Sequence, residues 1–143
     1  MSIGAPFAVL VAEELFACGC RLLISITSAG QIVPAGQPPY FVIIERALRD
    51  EGTSYHYSPP SEYAEADPAL VVIAAEALRN GKQHVVTGAS WTTDAPFRET
   101  SKAIDAARAK GVLAVEMEAA VLYSFARAAA KCPFSVRPLG DRN

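Results

Sequence analysis

Two carboxylates, Glu116 and Glu118, flank Met117 in the stretch GVLAVEMEAAVLY, residues 111–123. Residues 112–115 read as a short buried strand. From Glu118 onward the chain reads as a helix, because Ala119, Ala120, Leu122, Ala126 and the run at 128–130 favour that state. Both acids therefore fall at a strand-to-helix junction, and ligands of α/β proteins gather at the carboxyl ends of strands. A carboxylate only accepts hydrogen bonds, which suits a cis-diol such as the 2′ and 3′ hydroxyls of a ribose. The Met117 thioether offers a soft apolar wall for the sugar face. A structural reading is equally available, since acidic residues in a first helical turn are favoured by the macrodipole.

Two further groups of residues could do chemistry. Thr27, Ser28 and Gly30 lie in LISITSAG, residues 23–30, where a strand ends and a loop opens. Two hydroxyls and a glycine-freed backbone can hydrogen-bond an anion, or can form an ordinary polar turn. In GASWTTDAPFR, residues 88–98, Trp91 or Phe97 could stack on a planar ring, or both could be core residues. Arg98 could donate to a ligand carbonyl or simply pair with Glu99. Asp94 could cap the loop. Tyr55, His56 and Tyr57 read as a surface cluster or subunit contact. Glu45, Arg46, Arg49 and Asp50 read as a solvated charge cluster.

The elements that must position these groups follow from periodicity and punctuation. Residues 7–17 read as a helix that Gly19 terminates. Residues 21–27 read as a buried strand, 31–39 as a Pro- and Gly-rich loop, and 40–47 as a strand. Asp50-Glu51-Gly52 marks a turn, and 53–66 an excursion containing Pro59-Pro60. Asp67-Pro68 is a cap followed by a first-turn proline, opening a helix that runs to about Arg79. A strand at 84–89 and a helix at 100–110 precede the junction at Glu116. Strands alternating with helices predict a three-layer α/β/α fold with a mixed, largely parallel sheet.

Composition narrows the function classes. A chain of 143 residues has the length of one domain, read here as a single partial domain over residues 1–143. At 51% hydrophobic residues it can fill a core, with apolar surface left over for a partner. The net charge of −2 and the lack of a basic run give nucleic-acid binding no electrostatic support. Cys18, Cys20 and Cys132 lack a disulfide or zinc spacing, and His56 and His84 have no ligand partners nearby in sequence, so reduced thiols in a cytoplasm and no metal are expected. The start has no basic region of a secretory signal, and no apolar run is long enough to span a bilayer, so no membrane partner is expected.

The string VEMEAAVLY resembles the ribose-binding motif of the nucleoside phosphorylase superfamily, which holds bacterial-type purine nucleoside phosphorylases and uridine phosphorylases. Ser2-Ile-Gly-Ala-Pro6 resembles that family's Gly-rich turn before its second long helix. LISITSAG resembles its phosphate-side strand and loop, and GASWTTDAPFR its base-side loop. The resemblance spans nearly the whole chain but only the central part of a family domain.

It implies cleavage of the N-glycosidic bond of a purine or pyrimidine nucleoside, with inorganic phosphate as co-substrate and no cofactor. It implies that Glu116, Met117 and Glu118 hold ribose, that Thr27, Ser28 and Gly30 sit on the phosphate side, and that Trp91, Thr93, Phe97 and Arg98 sit near the base. It also implies a homo-oligomer, dimeric or hexameric. Many family members carry a phosphate-clamping arginine where Ser25 stands, and serine cannot replace a charged bidentate fork. The nucleosidase branch lacks that arginine and uses water. Family members also begin with further strands carrying a phosphate-binding glycine and arginine, and end with a strand and helix carrying an aspartate that protonates the purine. Asp141, in a tail without a convincing strand, is not assigned that role. A hydrolase, or a non-catalytic nucleoside-binding or oligomerising fragment, are the alternatives.

Overall fold

Three strands of branched and aromatic residues form the centre of the sheet: β2 (Phe41–Asp50), β4 (Val85–Thr93) and β5 (Val112–Glu116), in a computed structural model that describes residues 3–131. The pairings β2 with β4 and β4 with β5 are parallel. Two short edge strands, β1 (Gly30–Gln31) and β3 (Tyr63–Glu65), add antiparallel to β5 and β2. The order β1-β5-β4-β2-β3 is thus mixed and largely parallel, as expected.

The helices α1 (Ala5–Ala17), α2 (Pro68–Asn80), α3 (Ser101–Ala109) and α4 (Ala119–Lys131) start and stop on local chemistry. The Asp67 carboxylate accepts from the N–H groups of Ala69 (2.8 Å) and Leu70 (3.4 Å), ahead of Pro68. The Thr100 hydroxyl caps α3 by accepting from Ala103 N–H. Helix α1 ends in a Schellman turn: Gly19 N–H donates to Phe16 O and Cys20 N–H to Leu15 O.

Consecutive residues of a strand point to opposite faces, and the core divides accordingly. Trp91, Val112 and Val115 pack with Ala107 of α3 on one face, with Leu48 beside them. Ala47 packs with Ala64, Ala119 and Ala120 on the other, under α4. Helix α1 joins that second layer through Val9 and Ala12 against Val121 and Phe125. The result is a three-layer α/β/α arrangement.

Two expectations are corrected. Residues 21–27 do not form a buried strand. They run as a ribbon outside any ladder, with Leu22, Ile24 and Ile26 exposed, and pairing begins only at Gly30. Apolar alternation reports strand tendency, but a ladder needs a partner backbone, and among the described residues none runs beside this ribbon. Nor is Arg49 part of a solvated charge cluster. It is buried, with Nε donating to Ser54 Oγ (2.8 Å) and Nη1 to Pro59 O (2.7 Å) and Ser61 Oγ (2.8 Å). A guanidinium surrounded by acceptors organises the loop after β2 instead of facing water. Strands β2 and β4 also run past the expected ends, to Asp50 and Thr93.

Candidate active site

Register builds the site. Thr92 of β4 lies opposite Glu116 at the end of β5, so the two side chains share the face under α4. One Glu116 oxygen accepts from the hydroxyls of Ser90 (2.9 Å) and Thr92 (2.5 Å). The other accepts from the N–H groups of Glu118 (2.7 Å) and Ala119 (2.6 Å). Thr92 Oγ1 in turn accepts from Ala120 N–H at 3.0 Å. Glu116 thereby caps α4 and ties it to both central strands. Burial pushes its carboxyl above the ordinary range, against the opposing pull of the Thr92, Ala119, Glu118 and Ser90 donors.

Among the three residues expected at the ribose, Glu116 is thus placed to support rather than to touch a ligand. Its oxygens are committed to the protein, so it positions the residues that follow. Glu118 is placed differently. Its Oε1 accepts from Gly4 N–H at 2.7 Å, while its side chain faces a cleft. Gly4, at φ 89°, occupies a left-handed conformation that glycine adopts without strain and that delivers its N–H to the carboxylate. Half-buried Met117 brings its methyl group beside Gly4.

The cleft measures about 570 Å³ and is walled by α1, α4 and the extended ribbon. Ser25, Thr27 and Ser28 line it on the ribbon side, Ala8 and Val11 on α1, Glu118 just before α4 and Leu122 on α4. Gly30 fixes the ribbon to the sheet, and a Cβ there would lie 2.8 Å from Val115 Cγ1. The expected ribose-side acid and the expected phosphate-side hydroxyls thus meet in one cavity of the size that holds a small ligand.

The base-side group divides. Trp91 is a core residue: its ring is 5% exposed among Ile32, Val112 and Val115, and its indole N–H donates to Asp50 at 2.9 Å. Buried there, the ring is not open to a ligand, which is the core reading of the two that the sequence left open. Thr93 is buried, and its hydroxyl accepts from Ala95 N–H. Asp94 accepts from Gly52 N–H, the loop-capping role. Phe97 is fully exposed and Arg98 is exposed, on the turn Pro96–Arg98 that leaves the carboxyl end of β4. Neither lines the cleft.

Tyr57, read as surface, donates its hydroxyl to Glu13 Oε1 (3.0 Å) and packs edge-on against Phe125. Burial and Glu13 push its pKa up to about 12. The anchors Ser90, Thr92 and Gly4 were not read as site residues. Gly4, in the Gly-rich turn, was the available signal. Cys18 and Cys20 are free thiols, while Cys132 and Asp141 lie outside the described residues. Among the described residues there is no group of three or more metal-ligating side chains, and no helix long and apolar enough to cross a membrane.

A family model described as the phosphorylase superfamily matches residues 2–142. The chain belongs to the phosphorylase superfamily. Among superfamily members, it is 26% identical to a guanosine phosphorylase of Halorubrum lacusprofundi, covering 87% of this chain and 52% of that protein. It is 29% identical to a uridine phosphorylase of Thermococcus kodakarensis, covering 87% and 50%. The solved structure of uridine phosphorylase from Vibrio fischeri superposes with a TM-score of 0.79 at 30% identity, covering 88% of this chain and 53% of that one. The chain spans about half the length of the curated relatives it matches.

Proposed function

We propose that this chain is a nucleoside phosphorylase, which cleaves the N-glycosidic bond of a purine or pyrimidine nucleoside with inorganic phosphate and needs no other cofactor. The observation that carries the reading is the single cleft lined by both Glu118 and the Thr27-Ser28 pair. On this reading Glu118 accepts from the ribose hydroxyls, and Met117 covers the sugar face. Thr27 and Ser28 donate to phosphate, and Gly30 holds their ribbon on the sheet. Phe97 and Arg98, which lie outside the cleft on the turn after β4, would meet the base only where it projects beyond the cleft. Holding phosphate in line with C1′ supplies the rate by orientation, and fixed donors stabilise the charge that moves between phosphate and base.

The names of the related phosphorylases support this reading, as does the Glu118–Gly4 bond, which fixes the carboxylate in advance. Phosphate is held by neutral hydroxyls beside Ser25 rather than by a charged fork, so its affinity should be weak. We further propose homo-oligomeric assembly, as a dimer or hexamer, and residence in a reducing cytoplasm, which the free Cys18 and Cys20 thiols support.

The test is base release from a panel of purine and pyrimidine nucleosides, with and without phosphate. Release that requires phosphate is the expected result, and the panel names the base. Release without phosphate would replace phosphate by water as the nucleophile. No release from any nucleoside would overturn the catalytic reading.

A further inference from the structure

The extended ribbon that leads into β1 keeps its backbone open. From Arg21 to Ala29 no backbone N–H or carbonyl is bonded to another backbone group among the described residues. Such groups are free to pair with a neighbouring strand. Strand β1, which the ribbon enters at Gly30, is an edge of the sheet. Exposed edges are ordinarily protected by a charge or a proline. Residues 22–29, LLISITSA, contain neither.

The side chains alternate in a way that matches a second copy of the ribbon. Leu22, Ile24 and Ile26 are 59%, 72% and 81% exposed, and in an extended chain they share one face. Two such ribbons set antiparallel about Ile24 bring Ile24 opposite Ile24 and Leu22 opposite Ile26. Every member of the apolar row then meets another. A slip of one residue would set Leu22 opposite Thr27 and Ile24 opposite Ser25, and the row would be lost.

The same register sets Arg21 opposite Thr27 of the second copy, on the face that carries Ser25. Arg21 is exposed and takes part in no ion pair among the described residues. Thr27 and Ser28 line the cleft, where the ribbon itself supplies hydroxyls and no positive charge. Opposed side chains of an antiparallel pair start about 5 Å apart, within reach of a guanidinium.

We propose that the ribbon pairs antiparallel with the ribbon of a second copy, about a two-fold axis at Ile24, and that each Arg21 thereby reaches the Thr27-Ser28 side of the other copy's cleft. The second part rests on the reading of Thr27 and Ser28 as phosphate-side residues. Each subunit then borrows the positive charge that its own ribbon lacks at the cleft.

Hydrogen exchange and sedimentation test the pairing without substrate. The wild type should sediment as an even multiple of 15.2 kDa, with amides of residues 22–27 protected. Ile24→Pro removes an N–H that bonds nothing within the chain. It should keep the helical signal and lower the sedimenting mass. A monomeric wild type, or ribbon amides that exchange at the rate of an open chain, would overturn the pairing. Protection in a monomer would place the partner strand within the same chain and overturn it equally.

Calorimetric titration with inorganic phosphate tests Arg21. Arg21→Gln should still associate and bind phosphate at least about tenfold more weakly. Co-expressed with Ser28→Ala, it should recover tight binding in part, because each mixed dimer holds one site with both components intact. No recovery would mean that Arg21 does not act across the axis, and would overturn the contact. A wild type that binds no phosphate would overturn the contact together with the phosphate-side reading, while exchange and sedimentation judge the pairing by themselves.

Discussion

The Glu116 carboxylate accepts four hydrogen bonds from the protein, whereas Glu118 accepts one, from Gly4, and turns toward the cleft. Substitutions should separate these roles. Glu118→Ala is expected to leave the fold intact and weaken nucleoside binding by about 10- to 100-fold, the weight of charge-assisted hydrogen bonds to two hydroxyls. Calorimetric titration checks this, and unchanged affinity would remove Glu118 from the ribose site. Glu116→Gln should act on stability. Its amide oxygen can accept from Glu118 and Ala119 N–H, and its NH₂ can donate to the Ser90 and Thr92 hydroxyls, so the variant should fold. Burial raises the native Glu116 pKa above 4.5, so the native state holds that proton more tightly than the unfolded chain. The resulting stability is complete below pH 4.5 and is lost as pH rises through the native value. The wild type should therefore lose stability relative to Glu116→Gln across that window in urea melts. A constant difference from about pH 4 to 8 would count against the assignment.

Strand β1 is two residues long, yet it sets where the ribbon with Thr27 and Ser28 leaves the sheet. A methyl group on Gly30 would press on Val115, so Gly30→Ala should destabilise by about 1–3 kcal/mol. Adding Val115→Ala should recover part of that loss, a coupling that a double-mutant cycle reads directly. Simple additivity would mean that the close approach does not matter. Local chemistry is what the sequence exposes best at this scale. The Asp67-Pro68 start, the Gly19 stop and the junction at Glu116 are each decided within a few residues. The ribbon at 21–27 was misread because its alternating apolar residues report a tendency to extend, not the presence of a neighbour. Arg49 was misread for a related reason, and Trp91, left open between core and ligand contact, was decided only by the fold. A guanidinium reads as solvated until the chain folds Ser54, Pro59 and Ser61 around it, and an indole near a candidate loop reads as a ligand contact until β4 is seen to carry it into the core. Glu118 was legible because its strand-to-helix junction is itself a local signal. The Gly-rich turn that holds Gly4 was legible as well, but not its bond to Glu118, 114 positions away.

At the scale of the molecule, α1 inverts the usual amphipathic order. Its small residues Ala5, Ala8 and Ala12 face inward, while Phe7 and Leu10 lie exposed three positions apart on one outer stripe. Ile24 and Ile26 are exposed on the ribbon, and Leu70, Val72 and Ile73 on α2. Apolar surface on this scale suits the proposed assembly, and Ala8 and Val11 of α1 share the cleft wall with Ile24 and Ile26. Association through these elements would shield the cleft from water and strengthen its electrostatics. Sedimentation should therefore give a mass that is a multiple of 15.2 kDa. Specific activity should fall on dilution as the assembly dissociates. Phe7→Lys with Ile24→Lys should shift the protein toward the single chain without loss of helical signal, and turnover should fall with it. A wild-type chain that sediments as a monomer while fully active would separate assembly from catalysis and leave the exposed stripe without a part in the reaction.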